Sequence, residues 1–464
     1  MGSIQTYHTE GHAGPELEKT YLHVPFDVPE NAARIEVALT YRDRIGSNPT
    51  LVGGNTVDLG VFDERGIEFL KAGFRGWSGS ERDDFWITRQ AATPGYLAGP
   101  LNPGRWHALL GLYKVAPQGC SYALTVKITL EEGGEEPWRA PEGGPLPASR
   151  PKAAHAPWLR GELHCHTHHS DGKFSAAELV ERARERGLDF LAVSDHNTTA
   201  SLRELAALTD PGLVLVRGVE ATTFYGHFNA WGISDWVDFR VNSPEEMASA
   251  LAYAQQLGAL TSCGHPKPFG PGWDYPEVAN YACVEVWNGP WSGLNGVSLA
   301  FWLEQINSGR RIPAVGGSDF HRVGEVAGGR QRDLGTPTNW VYVPGEATEA
   351  SILEAVRRGH VSLADEPDGP LLTLWAGEGW QALQGDTLAR PAHGVLPVRV
   401  DCLRGEGGLL RLLDQSGVLA EQVVTGETYC QEFELAVEGS RYVRAELRTE
   451  FDWLRAMTNP VYIA

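Results

Sequence analysis

Several classes of protein are excluded by what this chain lacks. None of its apolar runs is long enough to span a bilayer. The opening residues Met1-Gly2-Ser3-Ile4-Gln5-Thr6 carry no basic segment followed by an apolar core, so no secretory signal is read there. The 464 residues include only six cysteines, at 120, 165, 263, 283, 402 and 430, and none forms a Cys-x-x-Cys pair. Such scattered thiols suit a reducing compartment better than a disulfide frame, and a cytoplasmic location is expected. Basic residues are outnumbered, 39 Lys and Arg against 59 Asp and Glu, for a formal charge of -20 and a pI near 5.2. General nucleic-acid binding and anionic membranes call for the opposite sign, so neither is expected. An acidic protein still binds a small anion when metal ions supply local positive charge. There is no Gly-x-Ser-x-Gly elbow to present a serine nucleophile and no Gly-x-x-x-x-Gly-Lys-Ser/Thr phosphate loop.

Apolar residues at 42% and charged residues at 21% are ordinary for a globular protein, and the length calls for two or three domains. Residues 1–133 read as β structure. Thr56-Val57-Asp58-Leu59-Gly60-Val61-Phe62 alternates cleanly, and further strands are read around Arg34–Tyr41, Gly104–Tyr113 and Ser121–Ile128. Short strands between Gly, Pro and Asn turns predict a β-sandwich. Residues 134–157, rich in Pro, Gly, Ala and Glu, read as a linker. From 158 to 366 strands and helices alternate. Ser175-Ala176-Ala177-Glu178 is a capping box, and Ser243-Pro244-Glu245-Glu246 adds Pro at the first helical position. Strands such as Phe190–Val193 and Cys283–Val286 are apolar throughout, which predicts parallel pairing in a closed or distorted barrel. Beyond 367 the helical signal disappears and a second β-sandwich, 367–464, is expected.

The chemistry gathers at the carboxyl ends of the barrel strands. The first is followed by Gly161-Glu-Leu-His-Cys-His-Thr-His-His-Ser-Asp-Gly172. His164 and His166, one residue apart on an extended segment, share a face and can hold one ion. Asp171 follows. The next strands end at His196, at Glu220, at His265 (about two βα units later), at Glu285 and Asn288, and at Asp319 and His321. A lone histidine is usually a satisfied core or surface residue. Burying so many imidazoles and carboxylates at one end of a barrel is costly without a compensating cation.

Cys165 falls on the opposite face from its neighbours and reads as core; His168 and His169 read as loop residues. Asp195 either orients the next histidine or caps a turn. His227, beside Gly226, is a candidate to touch substrate as a general acid. Arg160, Lys267 and Arg322 flank these motifs, and each is either a clamp on phosphate oxygens or a surface ion pair. Asn288 is a further candidate substrate contact.

The set His164-Cys165-His166-Thr167, Ser170-Asp171-Gly172, Ser194-Asp195-His196-Asn197, Gly218-Val219-Glu220, Gly264-His265-Pro266 and Ser318-Asp319-Phe320-His321 resembles the PHP family, named for polymerase and histidinol phosphatase. The layout between two β domains, with Tyr225–Gly232 and the Thr-Asn-Pro-Val-Tyr ending, looks like its carbaryl-hydrolase branch. The resemblance implies a distorted (β/α)7 barrel with two or three divalent ions, usually manganese, zinc or iron, and hydrolysis of phosphate mono- or diesters. It implies a first ion on His164, His166, Glu220 and Asp319. Glu220 would bridge to a second, also held by His265, with Asn288, Glu285 or water completing it. Asp171, His196 and His321 would hold a third. A bridging water of lowered pKa would then attack phosphorus in line. The branch name keeps open a carboxyl-ester, carbamate or amide substrate. A different class of reading makes the barrel a metal-stabilised scaffold whose sandwiches bind glycan or protein.

Overall fold

A computed structural model describes residues 3–131, 146, 155–208, 212–268 and 270–464. Most of the expected linker, 134–157, lies outside the described residues.

The first eight strands are β1 (Ile4–Ala13), β2 (Tyr21–Val28), β3 (Ala32–Tyr41), β4 (Thr56–Phe62), β5 (Phe74–Gly79), β6 (Asp84–Thr88), β7 (Gly104–Lys114) and β8 (Cys120–Leu130). They pair as two antiparallel four-stranded sheets, β1-β8-β3-β6 and β2-β7-β4-β5. Val37 and Val126 from one and Leu59 and Leu110 from the other share a single buried cluster. The alternation of β4 predicts one wet face, yet every residue of β4 is buried. Val57, Leu59 and Val61 enter the cluster between the sheets. The opposite face is covered too: Phe62 joins Phe74, Trp77, Trp236 and Phe239 in a second cluster that fastens this sheet to the following segment of chain. Arg240, paired with Asp238 at 2.7 Å, reaches across to the His23 ring and the Ile67 carbonyl.

The central elements are β9 (Trp158–Glu162), α1 (Ala176–Glu185), β10 (Phe190–Val193), α2 (Ser201–Ala206), β11 (Val214–Thr223), β12 (Gly226–Trp231), α3 (Pro244–Gln256), β13 (Leu260–Gly264), β14 (Cys283–Asn288), α4 (Asn295–Asn307) and β15 (Ala314–Gly317). Two-residue strands β16 (Val326–Ala327) and β17 (Arg330–Gln331) form a small hairpin. β18 (Thr338–Tyr342), α5 (Glu349–Arg358) and β19 (Val361–Ala364) follow. Ser175 and Ser243 cap α1 and α3 as predicted.

The sheet runs β15-β14-β13-β12-β11-β10-β9-β18-β19 and curls into a half-barrel. Two strands break the expected all-parallel pairing. β12 runs antiparallel to both β11 and β13, so the stretch expected to hold two βα units is one hairpin, α3 and β13. Gly226, at φ +132°, makes that hairpin possible, and its carbonyl accepts from Thr223 Oγ1. β18 is antiparallel to β9.

Side chains stitch the curled sheet where no ladder forms. Asn339 bonds the backbone of Gly316 through both amide ends, at 2.9 and 2.7 Å, and Asn459 does the same for Ala314. Glu162, fully buried, accepts from the amides of His164, Ser318 and Gly335. Asn339→Ala leaves both polar groups of Gly316 without these bonds inside the protein. It is expected to cost about 2–4 kcal/mol, read as a lowered urea midpoint at unchanged slope.

The C-terminal strands do not stand apart from this sheet. Leu454–Thr458 pairs antiparallel with β19, which carries the central sheet onward through Tyr442–Arg448 to Leu409–Asp414. A second sheet, built on Leu371–Ala376, Val395–Leu403 and Thr428–Ala436, shares a core with it around Leu374, Val398 and Leu412.

Candidate metal centre

Glu220 sits at the middle of the cluster, fully buried on β11. Its Oε2 lies 2.8 Å from His196 Nδ1, 3.3 Å from His164 Nε2 and 3.6 Å from His166 Nε2. Its Oε1 lies 3.0 Å from His227 Nδ1 and 3.2 Å from His265 Nε2. These rings come from the segment after β9, the ends of β10 and β13, and the antiparallel strand β12. The last segment, after β15, brings Asp319 Oδ1 to 3.1 Å from His166 Nε2. It also brings His321 Nε2 to 3.2 Å from Asp171 Oδ1, which lies 3.4 Å from His196 Nε2. Hydrogen bonds from His166 N to Phe320 O and from Asp319 N to His164 O join the first and last of these segments. His265, at φ +23°, and Asp319, at φ +51°, hold backbone conformations rare outside glycine, a strain that neighbouring bonds must sustain.

Burial opposes ionisation of Glu220, but His164, His196 and His227 outweigh it and hold the carboxyl well below its ordinary range. Burial also opposes ionisation of Asp319, and Arg332 and then His164 overcome it. His166, buried beside His196 and His321, is pushed down to about 4 and stays neutral, as a ligand must. His164 Nε2, His166 Nδ1, Glu220 Oε2 and Asp171 Oδ1 are all buried without a hydrogen-bond partner. Unsatisfied atoms of ligand type facing a shared space are what divalent ions would complete. Four ligand groups can be drawn among the described residues: His164, His166 and Asp319; His164, Glu220 and His265; His166, Asp171, His196 and His321; and His168, His169 and Glu204. Imidazole with carboxylate and no thiolate suits zinc, manganese or iron.

The supporting residues are built in. Glu285 Oε1 lies 3.0 Å from His164 Nδ1 and its Oε2 accepts from the His265 amide. Asn288 donates to Glu285 at 3.2 Å, so it steadies this carboxylate rather than facing the cavity. Asp195 accepts from Thr167 and Ser170, which identifies it as the clamp of the turn leading to Asp171. Cys165 is fully buried in a core cluster. His168 and His169 bond Glu204, and His169 also accepts from the Gly95 amide.

The three basic candidates lie elsewhere. Arg160 packs over Trp340 and pairs with Asp368. Lys267 is buried, its pKa lowered to about 8 by desolvation, and its ammonium ties the Asn288 carbonyl to Asn295. Arg322 is exposed. The cation that does reach the cluster is Arg332, 2.7 Å from Asp319 Oδ2, with its Nη1 also donating to the carbonyls of Ser318 and Asp319. No spacing in the sequence marks Arg332, because the β16–β17 hairpin separates it from the ligand motif.

A cavity of about 340 Å³ opens over the cluster, lined by Asp171, His196, His227, His265, Asp319 and His321. Its other wall is the outer face of the N-terminal sheet β2-β7-β4-β5, which contributes Asp58, Trp77 and Tyr113.

Residues 162–263 match the PHP domain model. The chain carries a PHP domain. The matched span holds His164, His166, Asp171, His196, Glu220 and His227, and the fold adds His265, Asp319 and His321 to the same centre from beyond it. A 5'-3' exoribonuclease of Haemophilus influenzae is 44% identical over 63 residues, 13% of this chain and 23% of that protein. A 3',5'-nucleoside bisphosphate phosphatase of Chromobacterium violaceum is 36% identical over 109 residues, 21% of this chain and 36% of that protein. The chain thus spans about a quarter to a third of the length of these relatives. Among solved structures, a two-domain protein of Bacteroides vulgatus, described as containing a predicted PHP-like metal-dependent phosphoesterase, aligns at TM-score 0.37 and 15% identity, covering 68% of this chain and 100% of that one.

Proposed function

We propose that the protein is a divalent-metal-dependent phosphoesterase acting on small phosphate mono- or diesters. We read the PHP domain as a distorted (β/α)7 barrel over about 158–366, between β-sandwiches at 1–133 and 367–464. The observation that carries the functional reading is Glu220. One buried carboxylate touches five imidazoles and leaves one oxygen without a hydrogen bond. His164, His166, Glu220 and Asp319 would hold one ion, Glu220 and His265 a second, and Asp171, His196 and His321 a third. When bound, such ions supply a hydroxide at neutral pH and offset charge on the phosphoryl oxygens. The protein's own part is to hold Glu220 and Asp319 ionised and the His166 ring neutral. Glu285 fixes the orientation of His164 by accepting from its Nδ1. His227, with Nδ1 donating to Glu220, keeps Nε2 toward the cavity, from which the ring in its protonated form would pass a proton to the departing oxygen. The sheet over the cavity favours a small ester.

Chelator treatment is expected to abolish hydrolysis of p-nitrophenyl phosphate and bis-p-nitrophenyl phosphate, and added manganese, zinc or ferrous iron to restore it. Because of the exoribonuclease relatives, a 5'-phosphorylated oligoribonucleotide belongs in the same assay. Metal-dependent activity confined to a naphthyl carbamate would replace the phosphoesterase reading with the carbamate one.

A further inference from the structure

The N-terminal sheet contributes side chains to the cavity that the metal centre does not use. Asp58 projects from the face of β4 opposite Val57 and Leu59, into the cavity wall. It is 9% exposed and has no hydrogen-bond or ion-pair partner among the described residues. The Trp77 ring packs beside it: a Cβ on Gly111 would meet the indole at 2.8 Å and Asp58 Cβ at 3.1 Å. Tyr113 stacks on Phe224, with ring centroids 5.6 Å apart, and both line the same cavity. Glu81, also on this wall, is paired with Lys173. Among the described residues no lysine or arginine lines the cavity.

From this wall we propose that the substrate's leaving group carries an organic cation, a primary or quaternary ammonium, seated against Asp58 beside the Trp77 indole. The proposal rests on the phosphoesterase reading for the other end of the substrate. A second phosphate in this position would face the buried Asp58 carboxylate. An ammonium would satisfy the carboxylate. Burial pushes the Asp58 carboxyl up to about 7, a cost that an adjacent cation offsets.

The test uses the full-length, metal-replete protein. Calorimetric titration compares choline with 3,3-dimethylbutanol, its uncharged isostere, and kinetics compare phosphocholine with 3,3-dimethylbutyl phosphate. The cationic member of each pair is expected to be preferred by about tenfold or more, and Asp58→Asn to bring both ratios close to one. The wild-type comparison stands without the variant. Equal binding of choline and its isostere, or binding of neither, overturns the cation site. Selective choline binding with neither ester hydrolysed supports the site and overturns the phosphoesterase reading. Hydrolysis of both esters at equal efficiency does the reverse.

Discussion

Glu220→Gln protein is expected to lose roughly a thousandfold or more in kcat/KM and most of its bound metal. The substitution keeps the shape of the side chain and removes its charge. In the folded protein that charge faces five imidazole rings at 2.8–3.6 Å and lies where no solvent can substitute for it. An amide offers one weakly basic oxygen in place of two anionic ones, so it cannot serve ions on both of its sides. Its NH2 group would also point donors at ring nitrogens that must stay free to ligate. Elemental analysis and initial rates on p-nitrophenyl phosphate are the measurements. Retention of wild-type metal content together with wild-type rate would remove Glu220 from the centre of the mechanism. His227→Ala is the informative contrast. Its ring touches Glu220 but belongs to none of the ligand groups. It should retain metal and lose about 10²–10⁴ in rate on esters with poor leaving groups, with a smaller loss on p-nitrophenyl esters.

Arg332→Met should be the most destabilising single change at the site, by about 3–5 kcal/mol in metal-free protein. Arg332 and Asp319 are 6% and 17% exposed, 2.7 Å apart. Removing the guanidinium leaves a buried carboxylate whose nearest remaining counter-charges are histidines, and frees the carbonyls of Ser318 and Asp319. Urea unfolding followed by tryptophan fluorescence measures the loss. The double variant Arg332→Met with Asp319→Asn should recover part of it, because no charge is then left buried alone. Bound metal should narrow the single variant's deficit, since a cation at Asp319 supplies some of the missing positive charge. A single variant as stable as wild type would show that Asp319 is neutralised by other means.

The strand ends were readable because the chemistry there is local. His164 and His166 two residues apart, His196 after an apolar run, and Asp319 and His321 after Gly-Gly-Ser each declare a residue of ligand type beside a buried strand. Apolar strands between capped helices likewise declared the alternation of the central region. What failed was strand direction. The hairpin β11–β12 has the same apolar composition as a parallel strand, so burial alone could not show that β12 turns back. The basic residues misled for a related reason. Proximity in sequence to a ligand motif raised Arg160, Lys267 and Arg322 as either phosphate clamps or surface ion pairs, whereas Arg332 reaches Asp319 only because a small hairpin folds back over it.

By itself the sequence determined which histidines and acids follow the buried strands, their order along the chain and the acidic balance. Each of those follows from residue identity and spacing of a few positions, which covalent geometry converts directly into a shared face or a strand end. Tertiary structure alone decided that Glu220 is the common neighbour of five rings, that asparagine side chains stitch the curled sheet, and that the N-terminal sheet walls the cavity with Asp58. Those contacts join residues far apart along the chain. They depend on how sheets curl and on which face of a strand is covered, and the alternation in β4 reads the same whether its outer face meets water or a metal centre.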